Sequence, residues 1–176
     1  MEEKVLEKIT GFFSNFKKQS LQQGEILINA QENPKFIYFL VSGVIKEYAV
    51  SKKGEELILN LFKPNVFFPM SYALNQVKNN YYFEALEDSE VTLCPISDAV
   101  NFISENPDVL LDLLKRVYKG TDGLLQKLAL LMSESAVDRL IGELITHSQR
   151  FGEKNNQQIS FKISEGPQVF IKTVFV

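Results

Sequence analysis

Between Gly24 and Ala85 the apolar residues come in short bursts: GEILINA, KFIYFLVSGVIKEYAV and EELILNLF, followed by FFPMSYALNQVKNNYYFEAL. Asn33-Pro34, Ser42-Gly43, Lys53-Gly54 and Pro64-Asn65 fall between the bursts. Proline, glycine and asparagine preset or tolerate the backbone angles of turns. A train of short strands with regular turn signals predicts a β sandwich or barrel. Gly43 and Gly54 are expected in hairpin-like turns, where glycine adopts positive φ at little cost. EALEDSEVTLCPI adds two closing strands about a turn at Asp88-Ser89.

The pattern is helical on either side of this block. Over residues 2–18, Val5, Ile9, Phe12, Phe13 and Phe16 keep helical spacing. A helix starts at Ser97-Asp98 with Val100, Phe102 and Ile103 on its apolar face, and Asn106-Pro107-Asp108 breaks it and opens another. Over 108–132 the residues Leu110, Leu114, Val117, Thr121, Leu124, Leu128 and Leu131 recur at alternating intervals of four and three. That is a heptad seam over three repeats. It fits packing on the barrel or pairing with a second chain. Leu111, Leu113, Leu125, Leu130 and Met132 lie off the seam and suit the helix's own barrel if the seam faces a partner. Gly120 and Gly123 each cost up to about 1 kcal/mol of helix stability but permit close approach. Ser135 opens a further helix with Asp138 three residues on, and Ala136, Leu140, Ile141, Leu144 and Ile145 form its core face. It ends at Arg150-Phe151-Gly152, before the alternating strand ISFKI.

Composition narrows the function. The chain has 176 residues, 45% hydrophobic and 23% charged, enough for one well-buried core with an extension. Fourteen Phe and six Tyr without Trp suit packed strands and an aromatic-lined cavity. A net charge of −3 lacks the basic footprint of nucleic-acid contact by these residues. Cys94 is the only cysteine and His147 the only histidine. No internal disulfide, cupin-type metal site or Ser-His-Asp or Cys-His catalytic set can be built from them, and no GxGxxG or P-loop motif is present. Glu84, Glu87 and Asp88 read as a solvated turn. The expectation is a non-enzyme without a cofactor. A charged, amphipathic start and the lack of a membrane-length apolar run point to a cytoplasmic protein without membrane contact.

The order of elements, together with Gly24-Glu25, FIYFLVSGVIKEY, Gly54-Glu55-Glu56, EALEDSEVTLCPIS, Asn106-Pro107-Asp108 and VDRLIGELITHSQRFG, resembles the Crp/Fnr family of bacterial transcription regulators. The resemblance covers about residues 8–164. It implies an α+β chain: an antiparallel β jelly-roll barrel with an N-terminal helix, then a long dimerisation helix and a further C-terminal helix. It further implies a small effector in the barrel, a parallel homodimer through the long helix, and a C-terminal winged helix-turn-helix for DNA. The expected division is an effector-sensing domain over 1–105, a dimerisation helix over 106–133, and the start of a DNA-binding domain over 134–164. An atypical tail over 165–176 replaces the remainder.

Two departures stand out. The resemblance implies a Gly-Glu pair for a cyclic nucleotide's ribose and an Arg-Ser pair for its phosphate. Those positions hold Pro69-Met70 and about Asn79-Asn80, and no arginine precedes Arg116. Lys78 lacks the planar fork that pairs a phosphate. The long-helix positions that would meet a purine hold Leu124-Leu125. A response to cAMP is therefore not expected. The candidate effector pocket is Phe67, Phe68, Met70, Ser71, Tyr72, Tyr81, Tyr82, Phe83, Thr121 and Leu124, suited to a small apolar or aromatic effector or simply filled by its own side chains. The candidate dimer interface is the seam from Leu110 to Leu131. In the second departure, EGPQVFIKTVFV follows Ser164 where the family pattern has a helix. Gly166-Pro167 is incompatible with a helix there, and the twelve remaining residues are too few for a winged helix. The chain in this form is expected not to bind DNA alone, and DNA is a partner only where a helix-turn-helix is present. Val169 to Val176 alternates like a strand, expected to be paired or poorly ordered. The alternative is a stand-alone, non-enzymatic jelly-roll module that binds a small molecule. A cupin-like enzyme would need metal ligands the sequence lacks.

Overall fold

The computed structural model describes residues 2–133, 135, 137, 140–142, 144, 145, 148, 153–155, 158–160, 174 and 175. Helix α1 spans Glu3–Phe13 and places Val5, Ile9 and Phe13 on one buried face. The helix predicted to residue 18 ends sooner. The Ser14 hydroxyl and the Asn15 amide donate to the Gly11 carbonyl at 2.8 and 2.9 Å. They take up a last-turn acceptor that would otherwise call for another helical turn. Lys17–Leu21 then forms strand β1.

Strands β2 (Ile26–Ile28), β3 (Phe36–Ser42), β4 (Ile45–Val50), β5 (Glu56–Phe62), β6 (Val66–Phe68), β7 (Tyr82–Ala85) and β8 (Ser89–Pro95) follow, with helix α2 (Met70–Asn75) between β6 and β7. They form two antiparallel four-stranded sheets, ordered β1-β8-β3-β6 and β2-β7-β4-β5. The strand and turn pattern predicts a β sandwich or barrel, and the fold is the antiparallel jelly roll that the resemblance implies. Gly54 lies in the β4–β5 hairpin. Gly43 does not make a hairpin: β3 and β4 belong to different sheets, so the chain changes sheet there. A Cβ at Gly43 would lie 2.1 Å from Ser89 Oγ, and its φ is +88°. Only glycine lets the backbone pass so close at that angle.

β3 reads as one apolar run because both of its faces are covered. Ile37 and Phe39 join Val5, Ile9, Phe13, Phe67, Cys94 and Ala99 in a core between the first sheet and the helices. Tyr38 and Leu40 face the opposite way, into the roll, with Leu21, Ile28, Ile45, Phe68, Phe83 and Val91.

Helix α3 (Ile96–Glu105) continues from β8, and helix α4 (Pro107–Ser133) follows the break at Asn106. The first turns of α4 pack on the outer core through fully buried Val109 and partly buried Leu113. Lys8 Nζ and Asp108 Oδ2 pair at 2.6 Å. The chain divides into two units, residues 1–114 and 115–176. Beyond α4, the described residues of 137–148 are helical. Strands β9 (Glu153–Asn155), β10 (Gln158–Ser160) and β11 (Val174–Phe175) form a small antiparallel sheet ordered β11-β10-β9. The other residues of the tail, together with His147 and Gly166-Pro167, lie outside the described residues.

Candidate functional site

The aromatic residues between Phe67 and Phe83 diverge. Phe67 and Phe68 are successive residues of a strand, so they point to opposite faces. Phe67 sits in the outer core with its ring 5.6 Å from that of Phe13. Phe68 faces into the roll, stacked on Phe83 at 5.4 Å and on Phe62 at 4.7 Å, with Tyr38 at 6.1 Å. Met70 packs on the outer core from α2, where Tyr72 is half-buried and Ser71 exposed. Tyr81 is exposed. Tyr82 lies opposite Tyr48 and stacks on it at 5.1 Å. Of the barrel residues singled out from the sequence, Phe68 and Phe83 meet inside the roll. Thr121 and Leu124 belong to α4 within the second unit.

Asn79 stands where the resemblance places a phosphate-pairing arginine, and it is buried. Its amide donates to the carbonyls of Asn29 (3.0 Å) and Tyr81 (2.8 Å), and its Oδ1 accepts from the Tyr81 N–H (3.2 Å). The Gln31 side chain also donates to Asn80 Oδ1 at 2.9 Å. This corner ties the loop after β2 to the start of β7.

Sequence reasoning passed over the polar residues of β4. Glu47 lies opposite Phe83 on β7 and Asn60 on β5, while Ile45 lies opposite Ala85 and Phe62. Residues directly opposite share a face, so Glu47, Asn60 and Phe62 point into the roll. The two-residue alternation from Ile45 through Glu47 was the available signal. Burial pushes the Glu47 carboxyl up to about 7, against a hydrogen bond from the Asn60 side chain that favours the ionised form. The Asn60 Oδ1 accepts the Leu61 N–H at 3.0 Å, which turns its NH2 group toward Glu47.

Lys46 and Tyr48 occupy the other face of β4. Lys46 Nζ pairs with Glu56 at 2.7 Å and Glu84 at 3.1 Å and sits 4.6 Å from the Tyr48 ring centre. Burial alone would lower its pKa, but the two carboxylates outweigh burial and raise it. Burial, with the Glu84 and Glu56 carboxylates, lifts Tyr48 to about 12. Cys94 is buried in the outer core, and burial followed by the charge of Asp98 lifts its thiol to about 12, which makes it unreactive.

On α4, Leu110, Leu114, Val117, Leu124 and Leu128 are between 47% and 64% exposed. Thr121 is exposed and donates to the Val117 carbonyl at 3.0 Å. The Leu131 side chain is outside the described ones. Of the off-seam residues expected against the barrel, Leu113 packs on the outer core beside Val109, while Leu111 is exposed; Leu125, in the second unit, is exposed as well. Among the described residues no helix is long and apolar enough to cross a membrane.

The family model for the cyclic nucleotide-binding domain matches residues 18–106, which hold the strands of the roll from β1 to β8 and helix α3. The chain belongs to the cyclic nucleotide-binding domain family. Its relatives are Crp/Fnr regulators. It is 22% identical over 148 residues to the fumarate and nitrate reduction regulatory protein of Yersinia pestis, covering 84% of this chain and 59% of that protein. It is 23% identical to the anaerobic regulatory protein of Haemophilus influenzae, covering 84% and 57%. The chain thus spans under three fifths of the length of these relatives. Among solved structures, CprK complexed with OCPA superposes with a TM-score of 0.69 at 16% identity, over 91% of this chain and 73% of that one. A CRP/FNR-family regulator from Thermus thermophilus gives 0.62 at 19%, over 83% and 73%. Structural likeness at this identity shows the fold.

Proposed function

We propose that this chain carries the effector-sensing and dimerisation part of a Crp/Fnr-type transcription regulator, that it does not respond to cAMP, and that it pairs with a second copy along α4. The observation that carries the pairing is the row of exposed apolar side chains at heptad spacing from Leu110 to Leu128, on a helix that begins against the roll. Each such side chain sealed at an interface contributes about 1.5–3 kcal/mol, before the cost of association.

Three features support the lack of a cAMP response. Pro69-Met70 stands at the ribose-binding pair, no arginine occurs before Arg116, and the side chain of Asn79 is committed to the backbone around it. The aromatic interior formed by Phe62, Phe68 and Phe83 supports a small, largely apolar effector. The solved complex of CprK with OCPA supports reading such a roll as a ligand sensor. The acidic balance of the chain supports leaving DNA reading to a helix-turn-helix other than these residues. In this division residues 106–133 are the dimerisation helix, and 134–164 begin the DNA-binding part.

Sedimentation of the full chain at micromolar concentration is expected to give a dimer. A monomer would overturn the pairing and leave the roll as a stand-alone binding module. A thermal-shift titration with cAMP is expected to leave the melting temperature unchanged, and a clear rise would overturn the reading of the pocket.

A further inference from the structure

The inner face of the roll is not sealed evenly. Ile45, Phe83 and Ala85 are buried, but Glu47, Asn60 and Phe62, which share their face, keep partial exposure. β4 and β5 are paired along this stretch, and β5 is the edge strand of its sheet, so solvent reaches Glu47, Asn60 and Phe62 around the β5 edge. What lines this opening has a definite electrostatic character. Glu47 supplies a carboxylate held by the Asn60 amide, and the faces of Phe62, Phe68 and Phe83 lie behind it in a stack. Lys46, next to Glu47 in β4, points to the opposite face and is held by Glu56 and Glu84. The inward positions of β4, β5 and β7 in this region carry no lysine or arginine.

We infer that the Glu47–Asn60 opening is the mouth of the effector site and that it takes an organic cation: an amine on an aromatic or apolar body. This rests on reading the roll as an effector sensor. The chemistry excludes the anions that the family name suggests. A phosphate or carboxylate entering here would face Glu47 with no counter-charge. An ammonium gains a charge-assisted hydrogen bond from the carboxylate and attraction from the ring faces. Its apolar body takes the place of water against Phe62.

The binding is pH-dependent, because the ammonium binds the ionised form of Glu47. The groups facing Glu47 are Asn60 and Phe62 from β5 and Phe83 from β7, and none of these titrates. Across the roll β6 contributes Phe68 and β3 contributes Tyr38, whose pKa burial raises so that it stays neutral. Lys46, Tyr48, Tyr82 and Glu84 belong to the other face. With the carboxyl near 7, the ionised fraction, and with it the affinity for an amine, rises about tenfold between pH 6 and pH 8.

The test uses the full chain and three probes with the same ring: 2-phenylethylamine, 2-phenylethanol and phenylacetate. Calorimetric titration and thermal shift at pH 6 and pH 8 are expected to show binding of the amine, about tenfold tighter at pH 8. Phenylacetate is expected not to bind. Glu47→Gln is expected to abolish the preference for amine over alcohol and the pH dependence, with circular dichroism checking its fold. The pH dependence of the unmutated chain serves as the second measure should the variant not fold. Binding of the alcohol alone, or of phenylacetate more tightly than the amine, would overturn the cation inference and leave the effector-sensing roll standing. No shift with any of the three at millimolar concentration would overturn both.

Discussion

Removing the charge of Glu47 should stabilise the protein. In the unfolded chain its carboxyl titrates near its ordinary 4.5, and inside the roll near 7. The folded state therefore holds a proton between those values that the unfolded state has released. Stability falls as pH rises through that window and stays low above it. At about 1.36 kcal/mol per pH unit, the interval from 4.5 to about 7 sets an upper limit of roughly 3 kcal/mol at pH 8. Glu47 keeps partial exposure, so solvent screens part of this and about 2 kcal/mol is expected. Glutamine has nearly the shape of the protonated acid and can keep a hydrogen bond to Asn60. Glu47→Gln should therefore gain about 2 kcal/mol at pH 8, and roughly 1 kcal/mol at pH 5.5. For a unit of this size the gain is a rise of roughly 5–10 °C in melting temperature. Urea denaturation of both proteins at pH 8 and pH 5.5 measures the difference. A variant no more stable than its parent at pH 8, or a gain of the same size at both pH values, would refute the account of a carboxylate held inside the roll.

Leu114→Asp with Leu124→Asp places two charges in the seam and should weaken the dimer at least 100-fold, converting it to monomer in sedimentation at micromolar concentration; an unchanged dimer would place the interface elsewhere. Gly43→Ala combines positive φ with a clash at Ser89 and should cost roughly 2–3 kcal/mol in urea denaturation. Lys46→Ala leaves Glu84 half-buried without its cation and should cost about 2–3 kcal/mol, whereas Lys18→Ala, which breaks the exposed pair with Glu90, should cost less than about 1 kcal/mol.

The strands were legible where apolar bursts end in turn residues. β3, β4 and β5 fall where the bursts of 36–62 predict, and the α3–α4 break falls at Asn106-Pro107. β1 was hidden because KKQSL is polar: it is an edge strand held by backbone pairing with β8, so only Leu21 needs to be buried. α2 has six residues, too few to show a helical period inside an aromatic segment. The pocket was the least legible part. Reading Phe67 to Phe83 as one lining took nearness in sequence for a shared face, although Phe67 and Phe68 belong to different cores. Glu47 was passed over because a charged residue in a strand is usually assigned to solvent, while its register opposite Phe83 turns it inward. Val109 was missed because the heptad seam drew attention to the exposed leucines, not to the residue that anchors the helix.

Because β3 and β6 each contribute to two cores, the interior of the roll and the seat of α4 are built on the same two strands. Tyr38 and Phe68 feel whatever enters the roll. Their immediate neighbours Ile37, Phe39 and Phe67 press on the packing that also holds Val109 and Leu113. A side chain on one face of a strand cannot tilt without carrying the next residue the opposite way.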